Sequence, residues 1–330
     1  MKKNYLDIID PIHDFIRVYD YELPIIDNPL FQRLRRVKQL SGAHLTYPSA
    51  QHSRFEHSLG VMHIATEAGF ALNEKGFLNS DDVQILRLAG LLHDIGHGPF
   101  SHLFEEVIQD KKISHEDYGK KIILNSEIGD VLSKTGFDKK IIAQIAFGES
   151  KFQYLNEIIS GSLSADMMDY LLRDGYFTGA EHAKVDHKRI TQSLNIHKKK
   201  IALERSALYS FESMMHSRYQ MFKAVYFHKT VRAAEVMLIQ ALRLSDDEFG
   251  FSSFNLDEFV KLTDEFVLSS IISSKSSKLK RARQLTENYQ NRKLLKCVFE
   301  RILTSQTNLK KTRTDELRLE LSKKSKIDEN

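Results

Sequence analysis

The stretch Leu92-His93-Asp94-Ile95-Gly96-His97-Gly98-Pro99-Phe100-Ser101-His102 decides how this chain is read. It follows an apolar helical run, and Gly96, Gly98 and Pro99 break the helix directly after the His-Asp pair. Upstream stands Gln51-His52-Ser53-Arg54-Phe55-Glu56-His57, and downstream Ser164-Ala165-Asp166-Met167-Met168-Asp169-Tyr170. A histidine, a His-Asp doublet and a distant aspartate in that order supply two imidazoles and two carboxylates. That set suits a borderline divalent ion.

Each histidine alone is better explained as a packed or surface side chain. Six of the 14 histidines, however, fall between His52 and His102, and their order relative to Asp94 and Asp166 favours a shared site. His57, His93, Asp94 and Asp166 are therefore the expected metal ligands. Four ligands leave room for water and a phosphate oxygen, and such an ion polarises phosphoryl groups and acidifies water. Fe, Mn, Zn or Ni fits the site, with Mg on substrate phosphates. His97, His102 and His115 lie near helix breaks or caps as acid–base or phosphate-contacting candidates. Glu105, three residues after His102, could orient its imidazole.

The 330 residues suffice for one large domain or two small ones. With 42% hydrophobic and 28% charged residues, a sizeable core is expected. The net charge of +4 is small, and the basic runs near the C-terminus are read as solvated rather than as a nucleic-acid surface. One cysteine, Cys297, excludes an internal disulfide. Met1 to Asp7 is not followed by an apolar signal region, and no apolar run approaches the ~20 residues of a membrane span. A cytoplasmic protein without membrane contact is expected.

All five prolines lie at or before Pro99, and helical periodicity dominates the chain. Helices are expected over 81–92 with Ser80 as N-cap, after a capping box at Ser114, from Ser164 through Arg173, and unbroken over about 207–244. Ile8 to Val18 suggests a short ribbon, and 194–203 a hairpin around His-Lys-Lys-Lys. On one face of the long helix fall Arg218, Phe222, Tyr226 and Lys229, a set suited to a phosphate chain and a stacked base. Alone, such a pattern is usually a helix packing on its neighbours with its charges reaching out to solvent. Tyr170 and Asp174 follow Asp166 at i+4 and i+8.

Together these residues resemble the HD-domain deoxynucleoside triphosphate triphosphohydrolases, notably the HD core of the animal SAM-and-HD-domain enzyme and its prokaryotic homologues. The resemblance rests on Phe31 to Leu40, Arg54 to Gly60, His93 to His102 and Asp166 to Asp174, and more weakly on Tyr226 to Lys229 and Ala282 to Val298. It implies a mostly α fold, a helical HD core with a helical C-terminal extension; the Ser- and Asn-containing loop after Gly250 and the charged run from Thr304 place the core with its short β ribbons over 1–249, a C-terminal helical subdomain over 250–303, and a charged flexible tail over 304–330. It also implies hydrolysis of a dNTP to deoxynucleoside and inorganic triphosphate. Arg54 and His97 match phosphate contacts. His102, with Glu105 and His115, matches the catalytic histidine and its supports. Gln39 and Asp174 match groups holding the sugar 3′-hydroxyl. Leu40, Tyr170 and Tyr226 match walls that crowd a 2′-hydroxyl, and Arg218 matches a terminal-phosphate contact.

A family lysine after the last metal aspartate is Met167 here, so one phosphate cation is missing. Asp27, Gln32 and Arg35 match a guanine-reading activator pocket, and Arg189, His228, Arg292 and Lys296 match parts of an adjoining dNTP effector site. A homo-oligomer, dimer or tetramer, and GTP or dNTP activation are implied by the same resemblance. Two alternatives stay open: an HD phosphohydrolase or phosphodiesterase acting on another nucleotide or nucleic-acid end, and a non-catalytic nucleotide- or nucleic-acid-binding scaffold.

Overall fold

Ser53 starts the central helix of the protein. Its side chain accepts from the Phe55 amide while Glu56 accepts from the Ser53 amide, a reciprocal cap that fixes where Arg54–Glu74 begins. That helix is buried on almost every side, so it shows little amphipathic patterning. The computed structural model describes residues 4–108 and 113–297, together with 319, 320 and 323.

Helices Ser80–Leu92 and Ala165–Thr178 pack against the central helix. Gly90 permits the first approach: a Cβ there would stand 3.2 Å from the Val61 carbonyl oxygen. The Ser80–Leu92 helix is capped by Asn79, not by Ser80 as the sequence suggests. The Asn79 side chain accepts from both Asp81 and Asp82 amides, and Ser80 is already helical. Ser114 and Ser164 cap their helices as expected, the latter extending beyond Arg173 to Thr178.

Strands β1 (Tyr5–Asp10) and β2 (Asp14–Tyr19) pair antiparallel, with Ile8 opposite Ile16. Strands β3 (Leu194–His197) and β4 (Lys200–Leu203) form the second ribbon. Its two-residue turn places Lys198 and Lys199 at φ 50° and 64°, the conformation a tight hairpin demands.

The single helix expected over 207–244 is broken. Leu208–Met221 passes into a π-turn at Phe222–Tyr226, and a new helix, Lys229–Phe249, begins after His228. His228 is extended (ψ 127°), and its Nδ1 accepts from the Thr230 amide at 3.2 Å, capping the new helix. No proline or glycine marks the break, so periodicity does not reveal it. Arg218, Phe222, Tyr226 and Lys229 consequently do not share one face. Phe222 and Tyr226 line the main cavity, whereas Lys229 is exposed.

Two apolar clusters hold the fold. The larger surrounds the central helix. The smaller joins Phe100, Leu103 and Phe104 to Met237, Leu238, Phe251, Phe259 and Tyr289. Residues Met1–Leu295 therefore make one compact unit. Asp264 reinforces the join, its carboxylate accepting from the Phe100 amide at 2.7 Å and the Lys38 amide at 3.0 Å. The second unit is Lys296–Asn330, and most of the tail expected over 304–330 lies outside the described residues.

Candidate metal centre and catalytic pocket

The first unit gathers three of the four expected ligands around one point: ligand atoms of His57, His93 and Asp166 all lie within 4.8 Å of one another. His57 Nε2 stands 3.2 Å from Asp166 Oδ1 and 3.6 Å from Asp94 Oδ2. His93 Nε2 stands 3.3 Å from Asp94 Oδ1 and 3.9 Å from Asp166 Oδ1. Separations of roughly 3–3.6 Å are those of neighbouring donors around an ion with bonds near 2.1 Å.

The other ring nitrogens are already engaged. His57 Nδ1 meets Asp169 Oδ2 at 2.8 Å, and His93 Nδ1 meets the Gly90 carbonyl at 2.8 Å. Both rings are thereby oriented with Nε2 toward the site. His93 Nε2 is buried and has no hydrogen-bond partner, as a metal donor would be. Burial works to lower the His57 pKa, but Asp166, Asp169 and Asp94 push it up to about 10. The pocket calls for positive charge, and a divalent ion supplies it. The donor set thus fits the metal.

Asp94 faces both imidazoles and also forms an ion pair with Arg54. Burial opposes its ionisation, yet Arg54, His93 and His97 hold its pKa well below the usual carboxylate range. Arg54 Nε donates to Ser101 Oγ at 2.8 Å. Its guanidinium is therefore held by Asp94 and Ser101 while still lining the cavity.

The loop after Asp94 is tightly packed. A Cβ on Gly96 would lie 2.0 Å from the His115 carbonyl oxygen, so only glycine lets the His115–Asn125 helix sit there. Phe100 and Ser101 adopt φ 57° and 54°, left-handed values that cost ~1–2 kcal/mol each without glycine. The surroundings hold them: Arg33, 1% exposed, donates to the carbonyls of Ile95 (3.0 Å), His97 (2.8 Å) and Leu262 (3.2 Å). Burial and nearby Arg36 pull Arg33 down to about 10, which leaves it charged at neutral pH.

Beside the ligands, His97, His102 and His115 form a second cluster of potential donors. The His97 and His115 rings stack at 4.0 Å, and His97 Nε2 is 3.3 Å from Asp94 Oδ1. Glu105 bridges His102 Nδ1, at 3.1 Å, and His115 Nδ1. Burial works to raise the Glu105 pKa, but His102 and His115 hold it well below the usual range. His102 is 70% exposed, whereas the His97 side chain is 2% exposed.

His97, His102 and His115 line a cavity of about 540 Å³ with His93, Asp94 and Asp166, together with Gln39, Leu40, Tyr170, Asp174, Phe222 and Tyr226. Asp174 is held on both sides, by His52 Nε2 at 2.8 Å and by the Tyr226 hydroxyl donating at 2.7 Å. Gln39 Oε1 is buried without a partner. Burial raises Tyr170 to about 12, although Arg218 beside it works the other way. Met167 is not on the cavity wall but buried in the larger apolar cluster.

The residues matching an effector site are engaged in local contacts. Asp27, Gln32 and Arg35 lie close in sequence, with Gln32 Oε1 accepting from Arg35 Nε at 2.8 Å and Arg35 covering the Phe55 ring at 3.5 Å. Arg189 donates to the Ser206 carbonyl. His228 packs against Tyr47, and Arg292 donates to the Leu45 carbonyl. Lys296 belongs to the second unit.

Sequence reasoning assigned no role to His52, Asp169, Arg33 or Asp264. His52 stands in a quoted motif, and Asp169 follows Asp166 by one helical turn, so both had a faint local signal. Arg33 also stands in a quoted stretch, Phe31 to Leu40, whereas Asp264 had no local signal, since its partners are distant in sequence.

A buried imidazole–carboxylate metal centre flooring a cavity, in an all-helical setting, defines a histidine–aspartate metalloprotein. Residues 54–174 match the HD domain and residues 185–330 the HD associated region. A putative HD domain-containing protein of Acanthamoeba polyphaga mimivirus is 30% identical, covering 88% of this chain and 72% of that protein. The Dictyostelium discoideum deoxynucleoside triphosphate triphosphohydrolase SAMHD1 homolog is 32% identical, covering 92% and 62%. A crystal structure of a hypothetical protein from Aquifex aeolicus matches with a TM-score of 0.81 at 35% identity, covering 96% of this chain and 82% of that one. This chain belongs to the HD-domain family. It spans 49–64% of the length of several curated relatives that it matches.

Proposed function

We propose that this protein hydrolyses deoxynucleoside triphosphates to deoxynucleoside and inorganic triphosphate. The observation that carries the reading is one cavity joining the metal donors to a wall of Gln39, Leu40, Tyr170, Asp174 and Tyr226. The printed activity of the Dictyostelium relative agrees with it.

His57, His93, Asp94 and Asp166 would hold a divalent ion, which would polarise a phosphoryl oxygen and acidify water. Arg54 sets its charge against the phosphate chain, aided by His97. His102, with Nδ1 on Glu105, protonates the departing 5′-oxygen through Nε2, and His115 keeps Glu105 in place. The unpartnered Gln39 oxygen and Asp174 receive the sugar 3′-hydroxyl. Tyr170, Tyr226 and Leu40 close around the 2′-carbon and exclude ribose. Arg218, against Tyr170, meets the terminal phosphate.

Activation by GTP or a dNTP through Asp27, Gln32, Arg35, Arg189, His228, Arg292 and Lys296 in a homo-oligomer belongs to the same proposal. So does a cytoplasmic location; among the described residues no helix is long and apolar enough to cross a membrane.

One observation favours a second reading, hydrolysis of a less charged phosphoester. Arg54 and Arg232 are the only arginines among the lining residues, no lysine joins them, and both are engaged with carboxylates. Metal-reconstituted protein incubated with each dNTP, alone and with GTP, and in parallel with each deoxynucleoside monophosphate, separates the two. Intact triphosphate plus deoxynucleoside supports the first; orthophosphate released only from monophosphates supports the second and sinks the first.

A further inference from the structure

His52 stands behind the cavity wall and is not one of its lining residues. It is 4% exposed, and its ring stacks on Phe177 with centroids 4.7 Å apart and planes 15° from parallel. Its Nε2 lies 2.8 Å from Asp174 Oδ1, while the Tyr226 hydroxyl donates to Asp174 Oδ2 at 2.7 Å. A carboxylate oxygen accepts, so the imidazole proton sits on Nε2 and His52 is the donor. Its Nδ1 is buried and has no hydrogen-bond partner, so nothing else competes for the ring.

The backbone of the same residue reaches a second group on the wall. The Gln39 amide donates to the His52 carbonyl at 3.1 Å, and the Arg54 amide donates to the Val37 carbonyl at 2.9 Å. Residues 37–39 and 52–54 thus run antiparallel, bridged at Lys38 and Ser53. Gln39 and Asp174 both line the cavity. Gln39 Oε1 is buried without a partner. Buried polar atoms are ordinarily satisfied, and an orphaned one on a cavity wall marks a place for a ligand group. Asp174 also keeps capacity: a carboxylate has about four lone-pair sites, and His52 and Tyr226 take one each.

We propose that His52 is a positioning residue for recognition of the sugar 3′-hydroxyl. Its imidazole fixes the Asp174 carboxylate as an acceptor, and its carbonyl fixes Gln39 on the same cavity. That role rests on the reading of Gln39 and Asp174 as the sugar-binding pair of a dNTP site. The last torsion of an aspartate is soft, so one donor leaves the carboxylate free to turn, whereas donors on both oxygens hold it. Phe177 in turn keeps the His52 ring from swinging away.

A 2′,3′-dideoxynucleotide lacks only the hydroxyl that this pair would read. Steady-state kinetics on metal-loaded full-length protein therefore compare each dNTP with its dideoxy counterpart in wild type, His52→Phe and His52→Gln. Phenylalanine keeps a ring against Phe177 and removes the donor; glutamine keeps an N–H at similar reach. Wild type should prefer the dNTP. His52→Phe should lose ~10–100-fold in kcat/KM on the dNTP, the scale of one hydrogen bond to a charged group, and several-fold less on the dideoxy form. His52→Gln should restore most of the preference.

Melting temperature and metal content establish that each variant is folded and loaded, and His52→Gln stays decisive if His52→Phe unfolds. Equal losses on both substrates overturn the proposal, as does loss of the preference in His52→Gln. Equilibrium titration with a non-hydrolysable α,β-imido deoxynucleotide and its dideoxy form separates this role from the reaction. No triphosphate release, together with a 3′-hydroxyl preference in binding that His52→Phe removes, would end the triphosphohydrolase reading and keep the role of His52. Wild type that fails to tell the two forms apart, in turnover and in binding, overturns it.

Discussion

Asp169 Oδ2 accepts from His57 Nδ1 at 2.8 Å, directly behind the nitrogen that His57 turns toward the metal donors. Asp169 is wholly buried and is itself fixed by His13 and by Arg173, whose Nε and Nη2 donate at 2.9 and 3.0 Å. Arg173 in turn grips Asp10 at the end of β1. The orientation of a metal ligand is thus tied to the N-terminal hairpin.

Gly60 leaves the room this arrangement needs: a Cβ there would fall 1.8 Å from Asp169 Oδ1. Gly60→Ala should push Asp169 off His57 and weaken metal binding ~10–100-fold, the usual effect of losing a carboxylate behind a metal histidine. Metal affinity measured by competition with a chromophoric chelator checks this. Unchanged affinity would show that Asp169 does not orient His57.

His102 is 70% exposed and its recorded polar partner is Glu105, so its replacement should leave the fold intact. His102→Gln should lower kcat ~10²–10⁴-fold, the range of a lost general acid, with metal content and melting temperature unchanged. A substrate with a good leaving group, such as a nitrophenyl phosphoester, should lose far less. Equal losses on both substrates would remove His102 from the acid role.

Tyr226→Phe deletes the hydroxyl that donates to Asp174 at 2.7 Å, leaving His52 as its remaining partner. Stability should fall ~1–2 kcal/mol, since a buried acceptor loses a bond. KM for the deoxynucleotide should rise while metal affinity stays the same. Steady-state kinetics on a dNTP and its ribonucleotide, with urea denaturation, measure both effects.

Asp264 supplies the pH dependence. Burial raises its pKa from 3.8 to about 6, against the amides of Phe100 and Lys38, which favour the ionised form. Between those values the folded protein holds a proton that the unfolded chain has released. This group's contribution therefore falls as pH rises across the window and levels off above about 6. Relative to Asp264→Asn, wild type should lose up to about 3 kcal/mol between about pH 4 and pH 7. Urea denaturation of both proteins at the two pH values tests the sign. A parallel response would show that Asp264 ionises normally in the folded state.

Much of the local structure was legible before any tertiary contact was known. The β1–β2 and β3–β4 ribbons and the helix starts at Ser114 and Ser164 follow from side chains within a few residues of each other. Asn79 against Ser80 is a one-position shift between two good capping residues, which propensity barely separates. The break at Phe227–His228 was invisible because a histidine caps the second helix and the π-turn has no residue signature.

By itself the sequence determined the helical class, the caps, and the donor types at His57, His93, Asp94 and Asp166, since periodicity and spacing are local properties. Only the tertiary structure decided which imidazole nitrogen faces the donor cluster, through Asp169 and the Gly90 carbonyl. It alone joined Asp174 to His52 across 122 residues and Asp264 to Phe100 across 164. It also brought His13 beside both His63 of the central helix and His187. Contacts at such separations are selected by how whole helices pack, and no window of sequence short enough to show a pattern contains both partners.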